Sequence, residues 1–226
     1  SDSQKVESDS AADQLYITSA RGPAPSLAGE VLKPNMIAPG VNILGAWKNG
    51  SNFATISGTS MSSPHVAGAA ALLKSARPGW SANELSSAIE MTATQDTAKN
   101  EDGLPATTQQ VGAGRPQLGE AVNAGLFLEV TENQFIAARP IAGGDPKELN
   151  LPGLVDQSCR DECSFTRTVT DLMGGGTWTT EAVGFPVGAS ATVSPASFTL
   201  SSGGSRALDI NINVSQTGVI GDWVDG

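Results

Sequence analysis

The sequence predicts two units in succession, an α/β unit with a parallel sheet around a buried helix and then an all-β sandwich. Three observations carry that reading. The run Val66-Ala67-Gly68-Ala69-Ala70-Ala71-Leu72-Leu73-Lys74 is small and apolar almost all round, the composition of a helix buried on most faces. Helical spacing of apolar residues persists to about residue 126 and then gives way to alternation. From there to the C-terminus, short alternating runs are separated by Gly, Pro and Ser clusters, the pattern of a sandwich. A length of 226 residues suits two modest domains. The expected division is residues 1–13 as a mobile leader, 14–126 as the α/β part and 127–226 as the sandwich.

The leader is rich in serine and acid and has few apolar residues. Leu15-Tyr16-Ile17 is a short strand candidate. Met36-Ile37-Ala38-Pro39 and Val41-Asn42-Ile43-Leu44 read as short buried strands broken at Pro39-Gly40, as where a parallel strand enters its loop. Residues 51–56 lead into Ser57-Gly58-Thr59-Ser60, a loop that delivers Ser60 to the start of the apolar helix. Backbone N–H groups at a helix start have no intrahelical partner and can stabilise a negative oxygen, so a hydroxyl placed there has half of an acyl-transfer site. Gly58 lets a substrate approach the backbone closely, and Pro64 fits the first helical turn.

Arg77-Pro78-Gly79 stops that helix, and the next has a clear start. Ser81 and Glu84 form a capping box, while Trp80 and Leu85 can form a hydrophobic staple. Leu85, Ala88, Ile89, Met91 and Thr92 follow helical spacing. Residues 96–110 read as a loop, and residues 117–126 as a third helix ending near Gly125. Strand-like runs follow at residues 127–130, 148–151, 164–170, 177–183, 191–193, 197–200 and 207–213. The last residues, Trp223-Val224-Asp225-Gly226, stand where a further strand would begin, which leaves the sandwich short of an edge.

Gly58-Thr59-Ser60-Met61-Ser62-Ser63-Pro64-His65-Val66-Ala67-Gly68 resembles the nucleophile motif of the subtilisin-like serine proteases. The resemblance extends upstream through Ser19-Ala20-Arg21-Gly22-Pro23 and Leu32-Lys33-Pro34-Asn35-Met36-Ile37-Ala38-Pro39-Gly40-Val41-Asn42-Ile43-Leu44. Downstream it takes in Ala71-Leu72-Leu73-Lys74, Pro78-Gly79-Trp80-Ser81 and Gly112-Ala113-Gly114. Several ordered blocks are far more specific than one Gly-Thr-Ser, which alone is usually a turn. The resemblance implies that Ser60 is the nucleophile of a serine endopeptidase acting on protein or peptide substrates. More loosely, Thr166-Arg167-Thr168-Val169-Thr170, Val193-Ser194-Pro195 and Phe198-Thr199-Leu200 resemble the fibronectin type III-like domain of the larger, plant-type members.

Subtilisin carries its triad in the chain order aspartate, histidine, serine. Nothing upstream of Ser60 fits the first two: residues 1–56 hold no histidine, and Asp2, Asp9 and Asp13 lie in the polar leader. Asn35, Asn42, Asn49 and Asn52 have the wrong surroundings for the family's oxyanion-hole asparagine. The one histidine, His65, lies five residues past Ser60 on the same helix, where steps of about 100° turn the two side chains to different faces. It reads as structural. The chain is therefore expected to be part of a protease, to need the upstream part of the same catalytic domain as a partner, and to be inactive alone. The rival readings are a non-enzymatic binding module with a remnant protease domain, and one product of processing that assembles with a second chain.

A net charge of −10 speaks against nucleic acid or an anionic membrane as partner. No run approaches the ~18 apolar residues of a membrane helix, and the N-terminus is no signal peptide. A secreted or cell-surface location is expected from the resemblance. Cys159 and Cys163 have no further Cys or His nearby for zinc. A tight local disulfide is the favoured reading and two free thiols the other. No cofactor is expected, and no dense acidic cluster marks a calcium site in this chain; calcium elsewhere in the full-length protein stays open. Asn49-Gly50-Ser51 and Asn213-Val214-Ser215 match a glycosylation acceptor pattern and read as chance.

Overall fold

The computed structural model describes residues 13–25, 28–48, 52–218 and 223–224. Most of the leader and the Asn49-Gly50-Ser51 pattern lie outside them. Strands β1 (Ile43–Ala46) and β2 (Phe53–Ile56) pair antiparallel, with Ile43 opposite Ile56. This differs from the expected parallel sheet: every ladder between strands among the described residues is antiparallel, and the single parallel contact is the isolated bridge between Gln14 and Lys99. The physical reason is connection length. Residues 47–52 are enough to turn a hairpin, whereas parallel neighbours need a crossover of a dozen residues or more. Residues 36–39 form no ladder, and Ile37 N–H instead donates to the Gly114 carbonyl at 2.9 Å.

Helix α1 (Thr59–Ala76) follows β2. Pro64 lies inside it and not in its first turn, so the Ser60 carbonyl loses its usual i+4 donor. The helix was expected to be buried on most faces, yet only Leu73 is buried and Leu72 is 66% exposed. Among the described residues it packs through Ala70 and Leu73 against α2 (Ala82–Met91) and one later turn of helix. Leu73, Trp80, Leu85, Ala88, Ile89, Ala121 and Ala124 make that core.

Helix α2 starts as the sequence indicates. Glu84 N–H donates to Ser81 Oγ at 3.3 Å, and the Glu84 carboxylate accepts from Ser81 N–H. Within the expected loop lies one helical turn, α3 (Thr108–Val111), where the Gln110 side chain accepts from Thr107 N–H at 3.0 Å and Val111 is fully buried. The third helix is shorter than the spacing suggests: α4 is Leu118–Ala121, and Leu126 already belongs to β3 (Leu126–Leu128). The chain passes from α4 into β3 through Gly125, where a Cβ would stand 2.0 Å from the Trp178 ring. Beyond β3, α5 (Glu132–Ala137) carries a second box, with Thr131 N–H donating to Gln134 Oε1 at 2.8 Å.

The remaining strands are β4 (Glu162–Asp171), β5 (Gly175–Thr179), β6 (Ser190–Ser194), β7 (Ser197–Ser201) and β8 (Ser205–Asn213). They form an antiparallel sheet ordered β3-β4-β8-β6 and a two-stranded sheet β5-β7. Leu128, Val169 and Leu208 from the first pack with Phe198 and Leu200 from the second, flanked by Trp178 and Val193. Residues 148–151 alternate like a strand but are none, for Pro146 opens a 3-10 turn there. The Asn150 amide plugs the free edge of β4 instead: its Nδ2 donates to the Thr168 carbonyl at 2.8 Å and its Oδ1 accepts from Thr168 N–H at 2.7 Å. Buried Arg167 ties the same segment down, donating to the carbonyls of Leu151, Lys147 and Gly153. Burial pulls its guanidinium down to about 10, so it remains a cation at neutral pH. Cys159, just ahead of β4, and Cys163, at its start, are joined in a disulfide.

Candidate nucleophile turn

Ser60 is the second residue of α1 and is exposed. The turn that delivers it runs from the end of β2 through Ser57 and Gly58. Gly58 sits at φ 152° and ψ 165°, a region open in practice to glycine alone. The helix start is bare. No side chain caps it, no acid lies in its first turn, and Met61 N–H turns back to the Gly58 carbonyl at 2.9 Å. Among the described residues the N–H groups of Thr59 and Ser60 have no hydrogen-bond partner. Two orphan donors at the positive end of an 18-residue helix, beside an exposed hydroxyl, form a surface that favours a negative oxygen.

Contacts from the Pro39-Gly40 turn hold this arrangement. Gly58 N–H donates to the Gly40 carbonyl at 2.8 Å, and Asn42 N–H donates to Ser57 Oγ at 2.8 Å. Sequence reasoning missed Ser57 and Asn42. The available signal was the Pro-Gly turn followed by Asn, a residue that tolerates the positive φ of 53° it adopts here.

His65 does not meet Ser60. Its Nδ1 lies 2.7 Å from the Met61 carbonyl, which can only accept, so that nitrogen carries the proton and the ring is tied to its own helix. It is the one histidine of the chain, so no imidazole here can serve Ser60 as a base. Asp13 is paired with Arg115 at 2.9 Å. The Asn35 amide is spent on Glu90, at 3.1 and 3.2 Å from its two oxygens. Burial pushes the Glu90 carboxyl up, while the Asn35 hydrogen bond and the Lys33 charge pull the other way. Asn213 is engaged in a turn, with Oδ1 accepting from Ser215 N–H and Oγ and Nδ2 donating to Glu162. Among the described residues no three acidic, histidine or cysteine side chains come together as metal ligands.

Comparison with known proteins falls on the same stretch. Residues 6–114 match the family model described as the subtilase family. The subtilisin-like protease SBT1.6 of Arabidopsis thaliana is 40% identical over 151 residues, covering 59% of this chain and 20% of that protein. SBT2.1 of the same plant is 30% identical over 268 aligned residues, covering 95% of this chain and 32% of the relative. The CO(2)-response secreted protease, also from Arabidopsis thaliana, is 38% identical over 147 residues, covering 58% of this chain and 19% of that protein. The chain thus spans a third or less of the length of these relatives. It is subtilase-like from residue 6 to residue 114, the stretch that contains Ser60, and is similar to the subtilisin-like proteases over nearly all its length.

Proposed function

We propose that this chain is the nucleophile-bearing part of a subtilisin-like serine endopeptidase that is secreted or held at the cell surface. The observation that carries the proposal is the exposed Ser60 hydroxyl beside unpartnered N–H groups at an uncapped helix start, within the stretch that matches the subtilase model. Ser60 attacks the peptide carbonyl, and its own N–H is one donor to the oxyanion that forms. A serine hydroxyl needs a base, and the lone histidine is turned away from it. The base and the acid that orients it come from the upstream part of the catalytic domain, and the chain alone does not turn over. That upstream part also covers the apolar face of α1, where Pro64, Ala69 and Leu72 line an open concavity with Leu118.

Residues 127–226 form a fibronectin type III-like domain that steadies the catalytic part. Two antiparallel sheets sharing one apolar core support this reading. The extracellular location is supported by the disulfide and by a relative named as a secreted protease. No helix among the described residues is long and apolar enough to cross a membrane. No cofactor takes part in the proposed reaction.

The test is hydrolysis of a denatured protein substrate by the full-length protein, by Ser60→Ala in it, and by residues 1–226 alone. Cleavage by the wild type, with a loss of at least about a thousandfold in Ser60→Ala and in the isolated chain, is the expected result. Cleavage that survives Ser60→Ala removes the nucleophile. Wild-type protein without hydrolytic activity favours the binding-module reading.

A further inference from the structure

We propose that Ser57, through its side-chain oxygen, and Gly40, through its carbonyl and its missing side chain, are positioning residues that set the Ser60 hydroxyl for attack. The proposal rests on the reading of Ser60 as nucleophile. Its ground is that α1 does little to fix its own first turn. No side chain caps the helix, no acidic residue lies in that turn, and Pro64 withholds the donor that the Ser60 carbonyl would otherwise receive.

The turn around Gly40 supplies what the helix lacks, on both sides of Ser60. Before it, Gly58 N–H reaches the Gly40 carbonyl at 2.8 Å, and Ser57 Oγ accepts from Asn42 N–H at 2.8 Å. After it, Ser62 lies so close to Gly40 that a Cβ there would stand 2.2 Å from Ser62 Oγ and 2.9 Å from the Gly58 carbonyl. Residues 57, 58 and 62 are therefore all seated on one three-residue turn. The Asn42 backbone holds φ 53°, which aims its N–H at Ser57.

An exposed hydrogen bond of this kind contributes little to global stability. A small displacement of a nucleophile, by contrast, can cost a large factor in rate. The two effects can therefore be separated by measurement.

The experiment uses the full-length protein with Ser57→Ala and Ser57→Thr, the second keeping the side-chain oxygen. A fluorophosphonate gives the inactivation rate kinact and the half-saturating concentration KI, and a thermal melt of each variant follows folding. The expected result is a loss of about tenfold in kinact for Ser57→Ala, with KI within about twofold, an unchanged melting temperature, and recovery in Ser57→Thr. A wild-type kinact in Ser57→Ala overturns the proposal, as does an equal loss in Ser57→Thr or a loss that only tracks a lowered melting temperature. Wild-type protein that takes no label removes the Ser60 reading itself, and the positioning role falls with it. A labelled wild type with an unaffected Ser57→Ala removes the positioning role alone.

Discussion

Asp171, at the end of β4, spends one carboxylate oxygen on two glycine-rich turns at once. Oδ2 accepts from the N–H groups of Gly174 at 2.9 Å, Gly175 at 2.8 Å and Gly203 at 3.2 Å, while the buried Oδ1 has no partner. Burial raises its pKa, but the backbone donors together outweigh burial and hold it below the ordinary carboxylate value. The linkage sign follows: a depressed folded value gives stability that is present above the unfolded value and lost as pH falls through the folded one. Asp171→Asn is expected to cost about 1.5–3 kcal/mol at neutral pH, read by urea unfolding. The gap from wild type should narrow as pH falls below the usual carboxylate range. A gap independent of pH would show that the charge contributes nothing. The link to the second turn was not legible in the sequence, because Asp171 meets Gly203 across 32 residues of chain. The placement of Ser60 at a helix start was legible because the Gly58 turn and the apolar run that decide it are its neighbours in sequence.

At the scale of elements, legibility follows the range of the interaction that decides each one. The Ser81 capping box and the Trp80–Leu85 pairing are local, and both residues of the pair join the core as their spacing indicates. The box at Thr131 and Gln134 is equally local, and that signal could have found α5. Alternation at residues 148–151 misled because the competing structure is tertiary, the Asn150 amide standing in for a strand at the edge of β4. Gly125, beyond the end of α4, also answers to a tertiary contact, since Trp178 occupies the space where a side chain at residue 125 would lie. Gly125→Ala should therefore destabilise by about 1–3 kcal/mol through overpacking. Chemical denaturation checks it, and a wild-type midpoint would mean that the indole moves aside without cost.

At the scale of the whole molecule, the α/β part and the β-rich part share direct contacts. Leu128 N–H of β3 donates to the buried Ser87 Oγ of α2 at 2.8 Å, and Gln157 Nε2 donates to the Ala28 carbonyl at 2.8 Å. Near the second contact, Glu30 carries a buried oxygen without a partner among the described residues and faces Asp156 and Asp145, with the Lys147 cation beside them. Burial first, and then the charge of Asp156, raise the Glu30 pKa. An acid raised in the folded state is destabilising while ionised, so stability is gained as pH falls through its folded value toward the ordinary one. Glu30→Gln should raise the melting temperature at neutral pH and flatten its rise on mild acidification. An unchanged pH profile would remove Glu30 as the group responsible. The change from helices to mostly strands near residue 126 was legible from the change of periodicity. The exposure of α1 was not, since an apolar helix records the environment it is suited to and not which partner supplies it.

The central claim is that Ser60 is a nucleophile whose base lies outside this chain. It is tested most directly by mapping fluorophosphonate adducts by mass spectrometry on residues 1–226 and on the full-length protein, with Ser60→Ala as control. The account predicts a single adduct on Ser60 in the full-length wild type, none in Ser60→Ala and none in residues 1–226 alone. An adduct on another serine, or equal labelling of Ser60 in the isolated chain, would contradict it.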